Sequence, residues 1–263
     1  MADATSGAEG GGRVVRPVQQ FGTVIVVGGG CYGSYYLRQL GRARRANALE
    51  WKDLVVVDRD EHCAATRAAG SDVPPFRLRQ AEWEAYFANF LGEAAQSPES
   101  HALDAIVPSP LMPHLMAAWL LARARERWPQ RHVDVAPLDA TPVVPWQRAG
   151  ADGTHYVSFA DWMCPINCIE PPRCPHTRGE RSWSLPSHLA AFVHEERAAG
   201  RPLDGPYIFH CAHRAYGVGM LDVADVLAAD RAIARRGDAG AAAFLVGTAS
   251  HCHGALQRIV VGA

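Results

Sequence analysis

The sequence has 263 residues, enough for one large or two small domains with a buried core. Hydrophobic residues make up 48% and charged residues 20% of the chain, and the net charge of -1 gives no electrostatic reason to expect nucleic acid as a partner. No apolar run has the length of a membrane span, so we expect no membrane partner either.

Residues 1–20 are rich in glycine and alanine and lack a continuous apolar core. This composition predicts a disordered leader rather than a secretory signal, so we expect a cytoplasmic protein. Seven cysteines in that compartment favour metal binding, redox chemistry or burial over disulfide bonds. We divide the remainder into residues 21–137 and residues 138–263. We expect a small-molecule substrate as partner, and a homo-oligomer is left open.

Strands and helices are predicted to alternate along residues 21–137. Residues 23–27 and 54–57 are continuous apolar runs rich in β-branched side chains, which is typical of buried parallel strands, and a helix is predicted between them at residues 32–46. Further predicted elements are helices at 61–69, 81–91 and 111–127 and strands at 76–78, 105–107 and 133–136. This alternation predicts an α/β fold with a doubly wound, mainly parallel sheet.

The sequence GGGCYG at residues 28–33 lies between the first strand and its helix. It fits the G-x-G-x-x-G fingerprint, in which Gly28 makes the turn, Gly30 lets a pyrophosphate approach the backbone, and Gly33 lets the helix pack on the strand. The N-terminus of the helix supplies an anion site. Asp58, which ends the next strand, stands where a ribose hydroxyl would be bound.

These residues resemble the Rossmann NAD(P)-binding superfamily over about residues 21–137. Within it the chain is similar both to dehydrogenase domains and to the nucleotide-binding regulatory domains of potassium channels and transporters. The resemblance implies a Rossmann-like fold and a dinucleotide ligand, but no reaction. Asp58 would repel a 2′-phosphate and so favours NAD over NADP, although the adjacent Arg59 weakens that inference. The alternatives are a glycine turn that only packs the fold and a methyltransferase that binds S-adenosylmethionine.

The second half has a different texture, because prolines cluster from about residue 137. Its predicted elements are strands at 155–159, 207–210, 242–246 and 256–261 and helices at 186–199 and 221–236. The proline-rich sequence at residues 161–183, DWMCPINCIEPPRCPHTRGERSW, is incompatible with a regular helix or a central strand. We refer to residues 161–183 as the cysteine segment.

Four metal-ligand side chains fall within 13 residues of the cysteine segment, at spacings C-x3-C-x5-C-x-H. They are Cys164, Cys168, Cys174 and His176. A proline-stiffened loop can close such a set around one metal. The spacing matches neither the usual zinc pairs nor the ferredoxin run, so zinc and an iron–sulfur cluster both stay open. Scattered buried or redox-active thiols are the alternative.

Two further loops carry histidines after predicted strands. These histidines are His210, His213, His251 and His253. In a parallel sheet the loops after strands emerge at one edge, where ligands bind. The glycine loop, residues 108–110, the cysteine segment and the two histidine loops all follow predicted strands, so we expect the dinucleotide and the Cys/His groups to face one crevice if those strands are parallel. There the histidines would act as proton donors or ligands.

Together these features predict an NAD(P)-dependent oxidoreductase with a Cys/His metal or iron–sulfur site and a substrate that the sequence does not identify. The competing interpretation is a non-catalytic NAD(H)-binding regulatory or redox-sensing protein in which the cysteines bind a structural zinc ion.

Overall fold

The computed structural model describes residues 17–68, 70, 72–162, 164–166 and 168–263. Residues 1–16 of the predicted leader lie outside the described residues, and Gln19 already belongs to the first strand. The strands are β1 (Gln19–Val27), β2 (Leu49–Asp58), β3 (Arg77–Gln80), β4 (Ala105–Val107), β5 (Val133–Ala136), β6 (Trp146–Ala149), β7 (His155–Ser158), β8 (Asp204–His210), β9 (Ala212–Ala215), β10 (Val218–Asp222), β11 (Ala242–Ala249) and β12 (His253–Val261). The helices are α1 (Cys31–Arg45), α2 (Ala64–Arg67), α3 (Trp83–Gln96), α4 (Leu115–Arg127), α5 (Leu185–Ala198) and α6 (Val223–Asp238).

The described strands form two mixed sheets. The first has the order β3-β2-β1-β4-β10-β9, in which β3, β2, β1 and β4 are parallel and the last two strands are antiparallel additions from the second half of the chain. The second has the order β6-β7-β12-β11-β8, with β5 also paired to β12. Within the second sheet β11 and β8 are parallel, and the other pairs are antiparallel.

Helices pack on both faces of each sheet, and the alternation of side chains along the strands explains why. Val24 and Val26 of β1 pack in the same core cluster as Leu37 and Leu40 of α1. Alternate residues of β1, such as Ile25, point the other way into a large core with α3, α4 and α6. Because both faces of β1 are buried over residues 24–27, that part of the strand is continuously apolar instead of alternating.

The large core also contains side chains from the second sheet, including Phe209 of β8 and Phe244 of β11. The layer of α3, α4 and α6 is therefore shared by the two sheets. The outer face of the second sheet packs against α5, where Leu185 and Leu189 are fully buried with Leu245. This shared helical layer fixes the position of one sheet relative to the other.

The predicted α/β class is confirmed, and most element types are as expected. The expectation of a mainly parallel sheet holds for β3, β2, β1 and β4 and for the single pair β8–β11. The other strands of the second half pair antiparallel, which the sequence pattern did not reveal. One of these, β10, ends where a helix was predicted to start: residues 221 and 222 belong to β10, and α6 starts at Val223. The β9–β10 hairpin turns at Tyr216 and Gly217, both with positive φ, as a type I′ turn requires.

Among the described residues, no helix combines the length and the apolar character needed to cross a membrane.

A buried ion pair ties α4 to α6 and offers a test of the shared layer. Arg127 donates to Asp230 at 2.5 Å, and Asp230 is only 4% exposed. Asp230→Asn should lower the free energy of unfolding by about 3 kcal/mol, because it leaves the half-buried guanidinium of Arg127 without its counter-charge. Chemical denaturation measures this value. Glu50→Gln, which breaks the exposed pair with Arg44, is the matched control and should cost less than about 1 kcal/mol. Equal effects of the two variants would contradict the assignment.

Candidate functional site

The loop between β1 and α1 adopts a conformation that depends on two of its glycines. Gly28 has φ of +85°, a left-handed conformation that side chains other than glycine rarely adopt. At Gly33 a Cβ atom would lie 1.8 Å from the carbonyl oxygen of Gly28, so only glycine lets α1 pack this closely against the turn. The two positions thus have the roles that the sequence predicts, a tight turn and a close helix–strand contact.

Gly30 differs from these two because nothing packs against it. A Cβ atom built there would meet no atom of the described chain within 4 Å. Gly30 is the N-cap residue of α1, and no side chain of the described residues caps that helix. The free N–H groups and the positive dipole end of α1 therefore open onto unfilled space, which is the arrangement that binds an anion.

Asp58 holds the glycine loop in place. One oxygen of its carboxylate accepts a hydrogen bond from the backbone N–H of Gly29 at 2.6 Å, and the other accepts one from Asp60 at 2.9 Å. The indole N–H of Trp83 donates to the carbonyl oxygen of Val57 at 3.1 Å and places the ring beside Gly28. The side chain expected to bind a ribose hydroxyl therefore also organises the loop.

These groups border a cleft of about 480 Å³, which we call the glycine cleft. Its lining includes Gly28, Gly30, Gly33, Asp58, Arg59, Glu82, Trp83 and Ser109. The volume lies within the range of small-molecule and cofactor sites. The four residues predicted to bind a cofactor thus line one cleft. Ser109 forms the far end of the cleft. It follows β4, which pairs with β1 on the side opposite to β2 and Asp58.

Ser109 also lines a second cleft, of about 300 Å³, which extends toward the second sheet. The polar groups of this second cleft are Tyr36, Cys211, Thr248, Ser250 and His253. Burial raises the pKa of Tyr36 to about 12 and that of Cys211 to about 12, so both groups stay protonated at neutral pH. The second cleft is therefore an uncharged, mostly apolar space with a few hydroxyl groups, continuous in its lining with the glycine cleft.

Three of the predicted catalytic histidines, His210, His251 and His253, lie at one end of the second sheet, whereas His213 belongs to β9 of the first sheet. Of the four, His253 is the one that lines the second cleft. His210 and His251 contact each other edge to face, with ring centroids 4.7 Å apart, because β8 and β11 are parallel and end side by side. Their burial lowers the pKa of both imidazoles. His213 points to the cysteine segment, where its Nδ1 lies 2.6 Å from the carbonyl oxygen of Cys168.

Glu170 of the cysteine segment is a buried charge that the sequence analysis did not single out. Its carboxylate accepts backbone N–H bonds from His251 at 3.2 Å and Cys252 at 3.3 Å, and Arg181 lies 3.8 Å away. Burial acts to raise its pKa, but the hydrogen bond from Ser250 and the nearby histidines outweigh it, so the pKa lies below the usual range. Glu170 thus anchors the cysteine segment to the turn between β11 and β12.

The predicted metal ligands Cys164, Cys168, Cys174 and His176 line one small cavity of about 200 Å³ together with Trp162. The ring of His176 stacks on that of Trp162 at 4.6 Å. Across the described part of the chain, no three side chains of His, Cys, Asp or Glu already stand in a geometry that holds a metal ion. The cavity brings the four residues together without forming a coordination shell.

Tyr36 and Ser109 are two cleft residues to which the sequence analysis gave no individual role. Tyr36 lies three residues after Gly33 in α1, so the helical period places both on one face, and this spacing could have identified it. Ser109 stands between two prolines directly after β4, at the edge where ligands of such sheets bind. Nothing local marks Glu170, whose role depends on a turn 80 residues away.

A family model described as "Uncharacterized protein, C-terminal domain" matches residues 116–262, more than half of the chain. The matched part begins within α4 and includes the cysteine segment, the second sheet and the strands β9 and β10. No curated protein and no solved structure matches the chain.

The anchoring by Glu170 can be measured. Glu170→Gln replaces an acceptor by an amide whose NH2 group opposes the N–H donors and Arg181, so unfolding should cost about 1–3 kcal/mol less. Chemical denaturation followed by tryptophan fluorescence reports the change, because Trp162 and Trp183 lie at the two ends of the segment. Glu180→Gln removes an exposed carboxylate from the same segment and should leave stability unchanged. Wild-type stability of Glu170→Gln would show that the carboxylate does not hold the turn.

Proposed function

The chain belongs to the family described as "Uncharacterized protein, C-terminal domain", and we propose that it is an NAD(H)-dependent oxidoreductase in which this C-terminal part supplies the substrate cleft. The observation that carries the proposal is the position of Ser109, which lines both the glycine cleft and the second cleft. A dinucleotide bound along the first cleft would have its reactive end beside the second.

The residues present fit such a cofactor. Open space at Gly30 and the uncapped N-terminus of α1 suit a diphosphate group. The order β3-β2-β1-β4 of parallel strands supports a Rossmann-like arrangement, in which the adenosine half lies toward β2 and the other half toward β4. Asp58 at the end of β2 then faces the adenosine ribose, and Ser109 after β4 faces the nicotinamide half. The Asp58 carboxylate would repel a 2′-phosphate, which favours NAD(H) over NADP(H).

The second cleft favours catalysis over binding alone. When bound, the nicotinamide supplies hydride transfer. Around that position the chain offers the Tyr36 hydroxyl and the hydroxyls of Thr248 and Ser250, on walls formed largely by prolines and Tyr156. With a pKa of about 12, Tyr36 keeps its proton and can donate a hydrogen bond to a carbonyl oxygen. The cleft therefore suits a small substrate with one carbonyl or hydroxyl group against a mostly apolar wall.

Gly30→Ala provides the test of nucleotide binding. The added methyl group meets no atom of the protein, so the fold should be retained, but it occupies the space that the diphosphate needs. We expect NADH to bind the wild-type chain more tightly than NADPH, and Gly30→Ala to weaken NADH binding at least about tenfold, or about 1.4 kcal/mol. Titration calorimetry measures both affinities.

Gly92→Ala is the matched control for this experiment. Gly92 lies in α3, where a methyl group also meets no atom within 4 Å, and it does not line the glycine cleft. This variant should bind NADH as the wild type does, with slightly raised stability. If neither NADH nor NADPH binds the wild-type chain, or if Gly30→Ala binds equally well, the proposed function is wrong.

A further inference from the structure

The cysteine segment contributes three candidate metal ligands with thiol groups. The N–H of Glu170 donates to Cys168 Sγ at 3.4 Å. Cys174 is buried and lines the same cavity of about 200 Å³ as Cys164 and Cys168. The thiolate is the form of cysteine that binds metal ions. Three candidate thiolate ligands therefore share one small cavity.

The imidazole nearest to these thiols comes from outside the segment. His253 Nε2 lies 3.4 Å from Cys164 Sγ, because β12 pairs with β7 so that His253 faces Ser158, six residues before Cys164. His253 Nδ1 in turn lies 2.8 Å from Ser158 Oγ. Strand pairing thus brings His253 to the cysteines, although His253 lies 77 residues after His176, the nearest predicted ligand in the sequence.

The hydrogen bonds of Ser158 determine the tautomer of His253. Ser158 Oγ donates its single proton to the carbonyl oxygen of Ala160 at 2.7 Å and accepts the N–H of Ala160 at 2.8 Å. Toward His253 the hydroxyl can only accept, so the proton of the neutral imidazole is on Nδ1. The lone pair of Nε2 therefore faces Cys164. A metal-binding histidine is usually held in this way, with its other ring nitrogen donating to a fixed acceptor.

The distance between these two atoms indicates which kind of metal site they would form. With Zn–S and Zn–N bonds of about 2.3 and about 2.0 Å, two ligands of one tetrahedral zinc ion lie about 3.5 Å apart. The observed separation is 3.4 Å. In a 4Fe–4S cluster each protein ligand binds a different iron atom, and the ligands are farther apart. His176, by contrast, has one ring face covered by Trp162 at 4.6 Å.

We propose that one zinc ion is bound by three thiolates of the cysteine segment and by one imidazole at the start of β12. The ligands are Cys164, Cys168, Cys174 and His253, with His253 in the place that the sequence pattern assigns to His176. The four-ligand set leaves no open coordination position, so the ion is structural and links the cysteine segment to β12. Because the thiols line one cavity without a finished coordination shell, closure of the shell accompanies metal binding. This site does not depend on the proposed nucleotide binding.

The test uses the full chain, purified without added metal. Its zinc content is measured by elemental analysis. Replacement by Co²⁺ then reports the ligands, since thiolate-to-cobalt charge-transfer and tetrahedral d–d bands are visible in the absorption spectrum. We expect one zinc per chain in the wild type and in His176→Ala, and loss of the metal in His253→Ala. Ser158→Ala should keep the site but weaken zinc affinity by about 10- to 100-fold.

His253→Cys keeps the conclusion testable if His253→Ala does not fold. This variant should retain the metal and show stronger charge-transfer absorption, because a fourth thiolate replaces the imidazole. A wild-type chain without zinc, a coloured protein with stoichiometric iron, or metal that is lost in His176→Ala and kept in His253→Ala would each overturn the proposal. NADH affinity plays no part in these outcomes, so the zinc site and the nucleotide site can fail separately.

Discussion

The packing of α4 and α6 between the two sheets is the constraint on which the rest of the structure depends. These helices share one core with Ile25 and Val27 of the first sheet and with Phe209 and Phe244 of the second. A core of this density permits little sliding, so the end of β4 and the turn before β12 are held opposite each other. The lining of both clefts by Ser109 follows from this packing and not from any local motif.

His253 lies between the second cleft and the cysteine segment. It lines the second cleft with Tyr36 and Ser250, and its Nε2 faces the thiol of Cys164. A zinc ion at the cysteines would therefore fix one wall of the cleft proposed for the substrate. Under the two proposals the metal and the cofactor would have separate roles: the zinc ion would fix the shape of the cleft, and the dinucleotide would supply the reaction.

Sequence reasoning identified those parts of the molecule that local patterns determine. The continuous apolar runs of β1 and β2, the glycine loop and the cysteine segment all carry their signal within a few residues, and the structure places them as strands, a tight turn and an irregular loop. The addition of the β9–β10 hairpin to the first sheet was not predicted, because the pairing of β10 with β4 joins residues more than 100 positions apart.

The candidate metal ligands show the same limit. Closeness in sequence favoured His176 as the fourth ligand, since it follows Cys174 by two residues. The proximity of His253 to Cys164 depends on the register of β12 against β7, which no short pattern encodes. Likewise Glu170 acquires its role only when the turn between β11 and β12 folds over it. Long-range pairing therefore decides the chemistry of the site, whereas local sequence decides its composition.

A crystal structure of the chain with NADH tests the central claim most directly. We expect the diphosphate oxygens within hydrogen-bond distance of the first N–H groups of α1 and the adenosine ribose beside Asp58. The nicotinamide ring should lie at Ser109 and face the second cleft. A glycine cleft that stays empty at saturating NADH, or a nicotinamide ring directed to solvent away from Ser109, would contradict it.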